Sequence, residues 1–356
     1  MIYHDGDRYF SDLFENLLAA KKSIYIEIYI FELDDIGNKI LDLLQKISQK
    51  GIEVKILLDG FGSSQWNFET AELWRKKNIQ IRFFHPLAWQ KSSNAFWNSL
   101  TIRKIYRGFS KFQLRNHRKI CIIDEKTLFT GSHNFSKVHS VKCHGEKAWR
   151  DTSLKLTNID LSFDLSDFHR YWEFSNNYFK MKWNEIRFQK KHQHMKLLDK
   201  IALAKNRVWI TNPYFVPDLK FISSIRKAGK AGVSVKILLP HYIGIYFFKY
   251  AVESIYSLLL ACRVEIFEYM PTMLHAKILI IDNWISVGSS NLDYRSIFYN
   301  LEKSVVINDE DNKKSIEIQF FNDLKFAEKI DPVIWKNRSW ITRLFEKIFI
   351  LFRPIL

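Results

Sequence analysis

Between residues 23 and 62 the chain reads SIYIEIYIFELDDIGNKILDLLQKISQKGIEVKILLDGFG. An apolar run gives way to an acidic turn, then to apolar residues at helical spacing, a glycine and a second apolar run. Ile40, Leu43, Leu44 and Ile47 fall on one helical face, so the pattern predicts strand, turn, amphipathic helix, strand. The same order returns at 206–244, in NRVWITNPYFVPDLKFISSIRKAGKAGVSVKILLPHYIG. There Leu219, Ile222, Ile225 and Ala228 share a face, and Gly232 stands where Gly51 ended the first helix. VKILL follows in both copies, at 54–58 and 235–239. Each copy is a βαβ signal, which implies parallel strands and a right-handed crossover.

A second element repeats in the same order. HRKICIIDEKTLFTGSHN at 117–134 returns as HAKILIIDNWISVGSSN at 275–291. Between VKILL and this motif the first half has 23 more residues than the second, which predicts an insertion within 85–116. The expected architecture is α/β: two similar halves, each a mixed, mainly parallel sheet flanked by helices, packed about a pseudo-two-fold axis. The expected divisions are 1–188, 189–335 and a tail at 336–356, the first boundary falling in the polar and basic RFQKKHQHMK. An internal pseudo-dimer of this kind predicts a monomer.

Composition narrows the partners. Lys and Arg total 54 against 38 Asp and Glu, a formal charge of +16, so an anionic partner is expected: nucleic acid, an anionic membrane surface or a phosphorylated small molecule. Cys121, Cys143 and Cys262 are odd in number and unpaired in spacing, which argues for a reducing compartment. The amino terminus lacks a basic stretch followed by an apolar run, so no signal peptide is expected. No stretch has the ~18 uninterrupted apolar residues of a spanning helix. IGIYFFKYAVESIYSLLLAC comes nearest and is broken by Lys249 and Glu253. Any membrane contact is therefore expected to be peripheral.

The repeated motif carries the chemistry. Residues two apart on an extended strand share a face, so His117 projects with Lys119 and His275 with Lys277. The Gly-Ser-x-Asn segments add Ser132, Asn134, Ser289 and Asn291 on turns that admit close approach of donors. Facing halves would surround one oxyanion with two lysines, two asparagines and two serines, flanked by two imidazoles. That inventory suits a phosphoryl group, one His attacking phosphorus and the other protonating the leaving oxygen. Each imidazole needs a carboxylate behind it. Asp151 in WRDTSLKL and Glu302 in NLEKSVVI supply one per half, each downstream of its motif. Asp124 and Asp282 lie far along the strand from their His and are expected to hold structure, while Arg118 is expected to point away from the chemistry. A single His-x-Lys is more often a solvated strand end, but two copies inside a longer repeat favour a site.

The doubled His-x-Lys-x4-Asp with Gly-Ser-x-Asn resembles the phospholipase D superfamily, over roughly 5 to 310 of this chain. The resemblance implies a covalent phosphohistidine intermediate without metal or cofactor, with catalytic motif residues His117, Lys119, Asp124, His275, Lys277 and Asp282. It makes His117 the nucleophile and His275 the acid that later becomes the base, with Lys119, Lys277, Asn134 and Asn291 on the phosphate. YIFELDDIGNKILDLLQKISQKGIEVKILLDGFGS and LHAKILIIDNWISVGSSNLDYRSIFYNLE are similar to bacterial cardiolipin synthases of the type without amino-terminal spans. That similarity implies phosphatidyl transfer from phosphatidylglycerol or a related donor to a second lipid hydroxyl, at the cytoplasmic face of the inner membrane.

Other residues bear on the partner. The tail WITRLFEKIFILFRPIL puts Ile341, Leu344, Phe345, Ile348 and Phe352 on one face and Arg343, Glu346, Lys347 and Arg353 elsewhere, as either an interfacial helix or a docked terminal helix would. In the insertion, Trp89, Phe96, Trp97, Ile102 and Tyr106 lie amid Arg103, Lys104, Arg107 and Lys111. That mixture suits a lipid headgroup layer, yet also single-stranded nucleic acid. A hydrolase of the phospholipase D type or a metal-independent nuclease is therefore the alternative. A basic, non-enzymatic scaffold is the remaining class. His133 stands where an apolar or small residue is expected. Cys143 with His139 and His144 lacks a fourth metal ligand and is read as a loop.

Overall fold

In the computed structural model, which describes residues 1–91, 114–175, 183–244 and 246–349, the chain forms two compact units. Unit one comprises Met1–Ala148, Ser153–Lys182 and Asn300–Lys303; unit two comprises Trp149–Thr152, Trp183–Tyr299 and Ser304–Leu356. Two short segments are thus exchanged between the repeats of the sequence.

Unit one has strands β1 (Ile2–Tyr3), β2 (Ser23–Ile28), β3 (Glu53–Asp59), β4 (Gln80–Phe84), β5 (Ile120–Ile123), β6 (Thr127–Gly131) and β7 (Ser153–Thr157). They form one sheet in the order β1-β7-β6-β5-β2-β3-β4. Its helices include α1 (Gly6–Leu18), α2 (Asp35–Ser48), α3 (Phe68–Arg75) and α4 (Ser162–Phe174). The helix read from the sequence is α2: Asp34 caps it by accepting from Ile36 N and Gly37 N, and Ile40, Leu41, Leu44 and Ile47 are buried. Past its end Gly51 takes φ +81°, and Gly232 takes φ +91° at the corresponding place, a conformation that costs glycine least.

Unit two has α5 (Trp183–Leu203), β8 (Arg207–Thr211), β9 (Phe215–Val216), α6 (Leu219–Lys230), β10 (Ser234–Pro240), α7 (Tyr246–Glu253), α8 (Tyr256–Leu260) and β11 (Glu265–Tyr269). It continues with β12 (Ile278–Ile281), β13 (Trp284–Gly288), β14 (Leu292–Asp293), α9 (Tyr294–Phe298), β15 (Ser304–Ile307), α10 (Glu310–Leu324), β16 (Ala327–Lys329), α11 (Pro332–Lys336) and α12 (Trp340–Phe349). Its main sheet runs β15-β13-β12-β8-β10-β11-β16, so six strands repeat the topology of unit one and the seventh joins at the opposite edge. Each unit has its own apolar core, one centred on residues such as Ile26, Ile40 and Ile56, the other on Ile210, Ile225 and Ile237.

The α/β halves with mixed sheets are as expected, but mainly parallel pairing is not. Only β2–β3, β3–β4, β8–β10 and β10–β11 are parallel within the two large sheets. The other strand neighbours there are antiparallel. The motif strands are the reason, because β5–β6 and β12–β13 are hairpins whose turns reverse the chain at once. A second correction concerns α6. Leu219, read as part of its buried face, is exposed as the first helical residue after the Asp218 cap, and Phe221 is buried instead.

Asp124 and Asp282 fix the hairpins, each with positive φ at the turn. Asp124 accepts from the backbone N–H of Lys21, Lys22 and Ser23 at 2.7–3.1 Å. Asp282 accepts from Lys205, Asn206 and Arg207 at 2.8–2.9 Å. The two motif aspartates therefore sew the far end of each motif strand to the start of the antiparallel neighbour beside it, β2 or β8. Of the insertion, Trp89 is exposed; Phe96, Trp97, Ile102, Arg103, Lys104, Tyr106, Arg107 and Lys111 lie outside the described residues, as do Phe352 and Arg353. Among the described residues no helix is long and apolar enough to cross a membrane.

Burial raises the pKa of both aspartates, but the backbone donors outweigh it and hold each below its ordinary 3.8. A depressed carboxylate contributes stability that is complete above the unfolded pKa and lost as pH falls through the folded one. Asp124→Ala should destabilise unit one by roughly 1–3 kcal/mol at neutral pH. In thermal denaturation the gap from the parent should shrink as pH is taken below 3.8; a gap independent of pH would show that the carboxylate charge is not what the clamp uses.

Candidate active site

Each motif histidine sits on the segment that leads into its strand, where main-chain hydrogen bonds strap it to an exchanged segment. In unit one Asn116 and Leu301 form a parallel bridge, with Leu301 N donating to Arg115 O and His117 N to Leu301 O, both at 2.9 Å. The next residue along the strap is Glu302, whose Oε2 lies 3.0 Å from His117 Nδ1. In unit two Arg150 bridges Leu274, with Arg150 N donating to Met273 O at 2.9 Å and His275 N to Arg150 O at 2.7 Å. Asp151 follows, its Oδ2 2.7 Å from His275 Nδ1. The register is the same in both units.

These pairs correct the sequence assignment. Asp151 and Glu302 had each been placed with the motif upstream of it, His117 and His275 respectively; the structure crosses them. Lys303 bonds Asp164 at 2.5 Å and anchors one strap, while the Arg150 guanidinium grips both oxygens of Asp323 at 2.8 and 2.9 Å and anchors the other. With Nδ1 directed at a buried carboxylate, the proton belongs on Nδ1 and Nε2 is the reactive nitrogen of each ring.

Lys119 and Lys277 are buried, and each Nζ donates to the carbonyl of the histidine two residues before it, at 2.9 and 2.6 Å. Lys277 Nζ also lies 2.9 Å from His275 Nε2. Aromatic rings border both dyads: Tyr29 meets His117 edge-on at 4.6 Å between centroids, and Trp149 lies 5.2 Å from His275. Lys119 Nζ stands 5.2 Å from the Tyr29 ring centre.

The Gly-Ser-x-Asn segments are held by the exits of β2 and β8. Asn134 Oδ1 accepts from Ile30 N, and its own N–H donates to His139 Nε2 at 3.2 Å. Gly131 takes φ +139°, and a Cβ there would meet Ser153 Cα at 2.5 Å, so only glycine fits. In unit two Asn212 Oδ1 accepts from Leu292 N at 3.1 Å. Ser132 and Ser289 are fully buried, and Asn291 Oδ1 is buried with no hydrogen-bond partner among the described residues. His133, unexpected in the sequence, stacks on Tyr9 at 4.7 Å and bonds Ser153 Oγ through Nδ1 at 2.7 Å. It is a core residue of unit one.

Arg118 does diverge from the motif lysine, but into protein and not into solvent. Its guanidinium bonds Glu27 at 2.6–2.8 Å and Asp167 at 3.0 Å, and lies 4.3 Å from the Tyr171 ring centre. Burial would lower its pKa, yet Glu27, Tyr171 and Asp167 raise it above the ordinary value, so Arg118 stays charged. Glu27 also accepts from Asn116 Nδ2 at 3.1 Å, and Asn116 N donates to Asp59 at 2.9 Å. A buried polar network thus fixes the residue before His117 and the residue after it. Glu27 was passed over in the sequence, although a charge in the middle of SIYIEIYI is the signal for it. In unit two the equivalent positions, one opposite Ile278 and one between His275 and Lys277, are Thr211 and Ala276.

The chain's sequence matches a known family. Residues 13–158 and 197–324 match the family described as cardiolipin synthase, PLD-like domain. A cardiolipin synthase of Clostridium perfringens is 32% identical over all of this chain and 76% of its own length. A probable cardiolipin synthase of Bacillus subtilis is 28% identical over all of this chain and 72% of its own. Phosphatidylserine synthase from Haemophilus influenzae has the same fold, with a TM-score of 0.70 at 14% identity over 99% of this chain and 92% of that one. The protein is an enzyme of the phospholipase D superfamily. Within it, the chain belongs to the cardiolipin synthase, PLD-like domain family.

The buried ion pair yields a test of how the His117 segment is held. Glu27→Thr or Arg118→Ala alone should cost about 3–5 kcal/mol, because each leaves a buried group without its partner. Glu27→Thr with Arg118→Ala copies the pair found in unit two and should cost clearly less than the two single losses added. Denaturant unfolding of the four proteins measures this; strict additivity would show that the two groups do not act as a pair.

Proposed function

We propose that this chain makes cardiolipin by transferring a phosphatidyl group from phosphatidylglycerol, or a related phospholipid, to a hydroxyl of a second lipid. The observation that carries the chemistry is the pair of buried dyads, His117 with Glu302 and His275 with Asp151, each beside a buried lysine. The choice of a lipid acceptor over water rests on the similarity to cardiolipin synthases along the whole chain.

In this reading His117 Nε2 attacks phosphorus and the bond from phosphorus to the glycerol oxygen breaks. His275 supplies the proton to that oxygen, and glycerol leaves. His275, now neutral, takes the proton from the second lipid's hydroxyl as its oxygen attacks phosphorus, which frees His117. Glu302 and Asp151 support the charge that each ring carries in turn. Lys119, Lys277 and the Asn134 and Asn291 amides bind the phosphoryl oxygens, whose charge grows in the transition state. The assignment of His117 as nucleophile follows from the resemblance of its motif to that of the phospholipase D superfamily. The membrane surface is the expected partner, at the cytoplasmic face.

Purified protein given phosphatidylglycerol vesicles in chelator should yield cardiolipin and glycerol. Phosphatidic acid as the sole product would make it a hydrolase, and cleavage of single-stranded DNA with no lipid product would make it a nuclease. His117→Ala and His275→Ala should each lower turnover by roughly 10²–10⁴-fold or more. Glu302→Gln should lower kcat far more than it changes KM. After acid quench, phosphate label should map to His117 and be absent from His117→Ala; label retained in that variant would reverse the two roles.

A further inference from the structure

We propose that α11, α12 and the groove they form with α8 are a docking surface for an anionic bilayer, separate from the catalytic dyads. On α11 and at the start of α12, Ile334 and Trp340 are 74% and 71% exposed. The apolar face of α12 follows at helical spacing through Ile341, Leu344 and Ile348, all exposed. The helix is held against α7, where Phe345 stacks on Tyr250 with centroids 5.6 Å apart. It is therefore docked, as one sequence expectation had it, while its apolar stripe still faces outward, as the other had it. An apolar patch of this kind rimmed by polar groups marks an interaction surface.

The groove specifies the occupant. It has a volume of about 520 Å³, with apolar walls from Leu258, Leu260 and Trp335 and cations from Lys336, Arg338 and Arg343. Trp335 is oriented by its Nε1–H, which donates to Ser257 Oγ at 3.2 Å. Arg338 lies over the Trp335 ring at 4.1 Å and donates to Trp335 O, and Arg343 donates to Lys336 O. Described acidic groups on these elements are already engaged: Glu253 pairs with Lys249 at 3.7 Å, and Asp331 caps α11. Three cations beside an outward apolar stripe match a phosphate layer above acyl chains, the arrangement of an interfacial helix. In a chain of formal charge +16 the complement is an anionic surface.

The proposal depends on the lipid-transfer reading only for its biological sense, so docking and transfer are read separately. Full-length protein is sedimented with phosphatidylcholine vesicles with or without phosphatidylserine. Parent protein should bind the anionic vesicles and lose binding as salt rises. Ile334→Asp with Trp340→Asp should weaken that binding by about tenfold or more. Lys336→Gln with Arg343→Gln should weaken it and flatten its salt dependence. Both variants should keep parental turnover on phosphatidylglycerol dispersed in detergent micelles. Unchanged vesicle binding in both variants would overturn the proposal. So would a parent that is dimeric in sedimentation velocity with variants that are monomeric, since the face would then serve self-association. Parent protein that docks through this face yet makes no cardiolipin would sink the transfer reading and leave this one standing.

Discussion

Two main-chain bridges, Asn116 with Leu301 and Leu274 with Arg150, set the carboxylate partner of each motif histidine. A backbone bridge fixes the register of the next residue of each strand, and here those residues are a histidine and a carboxylate. The carboxylate selects the tautomer that leaves Nε2 available and supports the ring when it becomes charged. Asp151 and Glu302 are themselves buried, and a buried carboxylate without its partner costs about 3–5 kcal/mol. The pairing is therefore enforced from both sides. Because the straps are exchanged, neither repeat of the sequence contains a complete histidine–carboxylate pair of its own.

Around these bridges the units use the same mount and different stiffeners. Asp124 and Asp282 tie the distal end of each motif strand to the start of its antiparallel neighbour, β2 or β8, through three backbone donors each. At the proximal end the units diverge: unit one sets His117 between Asn116 and Arg118, both bound to the buried Glu27, whereas unit two has Thr211 and Ala276 at the corresponding places. A charged network holds geometry tightly but tolerates no missing member, while an apolar one yields by small shifts. The two histidines therefore sit in mounts of unequal rigidity. That difference accords with unequal roles for two rings carrying nearly the same immediate partners.

Much of this was legible before any coordinates. Periodicity located α2 and α6 and the strands around them, because each buries one apolar face against a sheet, and the repeat itself located both motifs. What could not be read depends on distance in sequence. Asp151 lies 124 residues from His275 and Glu302 lies 185 from His117. A carboxylate at the head of each downstream strand pointed to the right residues but, with no information on which strand end the chain would cross to, to the wrong partners. The preponderance of antiparallel neighbours was missed because a parallel βαβ unit is a strong local pattern, whereas a tight hairpin inside an apolar run is announced only by Asp124 and Asp282. Arg118 points away from the motif lysine as the alternation predicts, but the alternation does not say what it meets there. It meets Glu27, on the adjacent strand.

The positive charge of this protein does two different jobs. Lys119 and Lys277 are almost wholly buried beside their histidines, where the surrounding protein screens poorly and a short contact to a phosphoryl oxygen is strong. The surplus that makes the chain +16 is mostly at the surface, where salt at physiological strength screens it within about 8 Å. Surface charge can gather the protein at an anionic layer but cannot favour a transition state over a ground state, since it acts on both alike. Buried charge does the reverse: it is too shielded from the outside to attract anything, yet it acts strongly on whatever charge forms beside it. Under the proposed lipid-transfer function a substrate in an anionic surface would need both, its headgroup leaving the screened layer to enter the unscreened one. On the proposed function, the energetic boundary between recruitment and catalysis is the desolvation of a phosphodiester, a cost that buried lysines and carboxylate-backed imidazoles would offset.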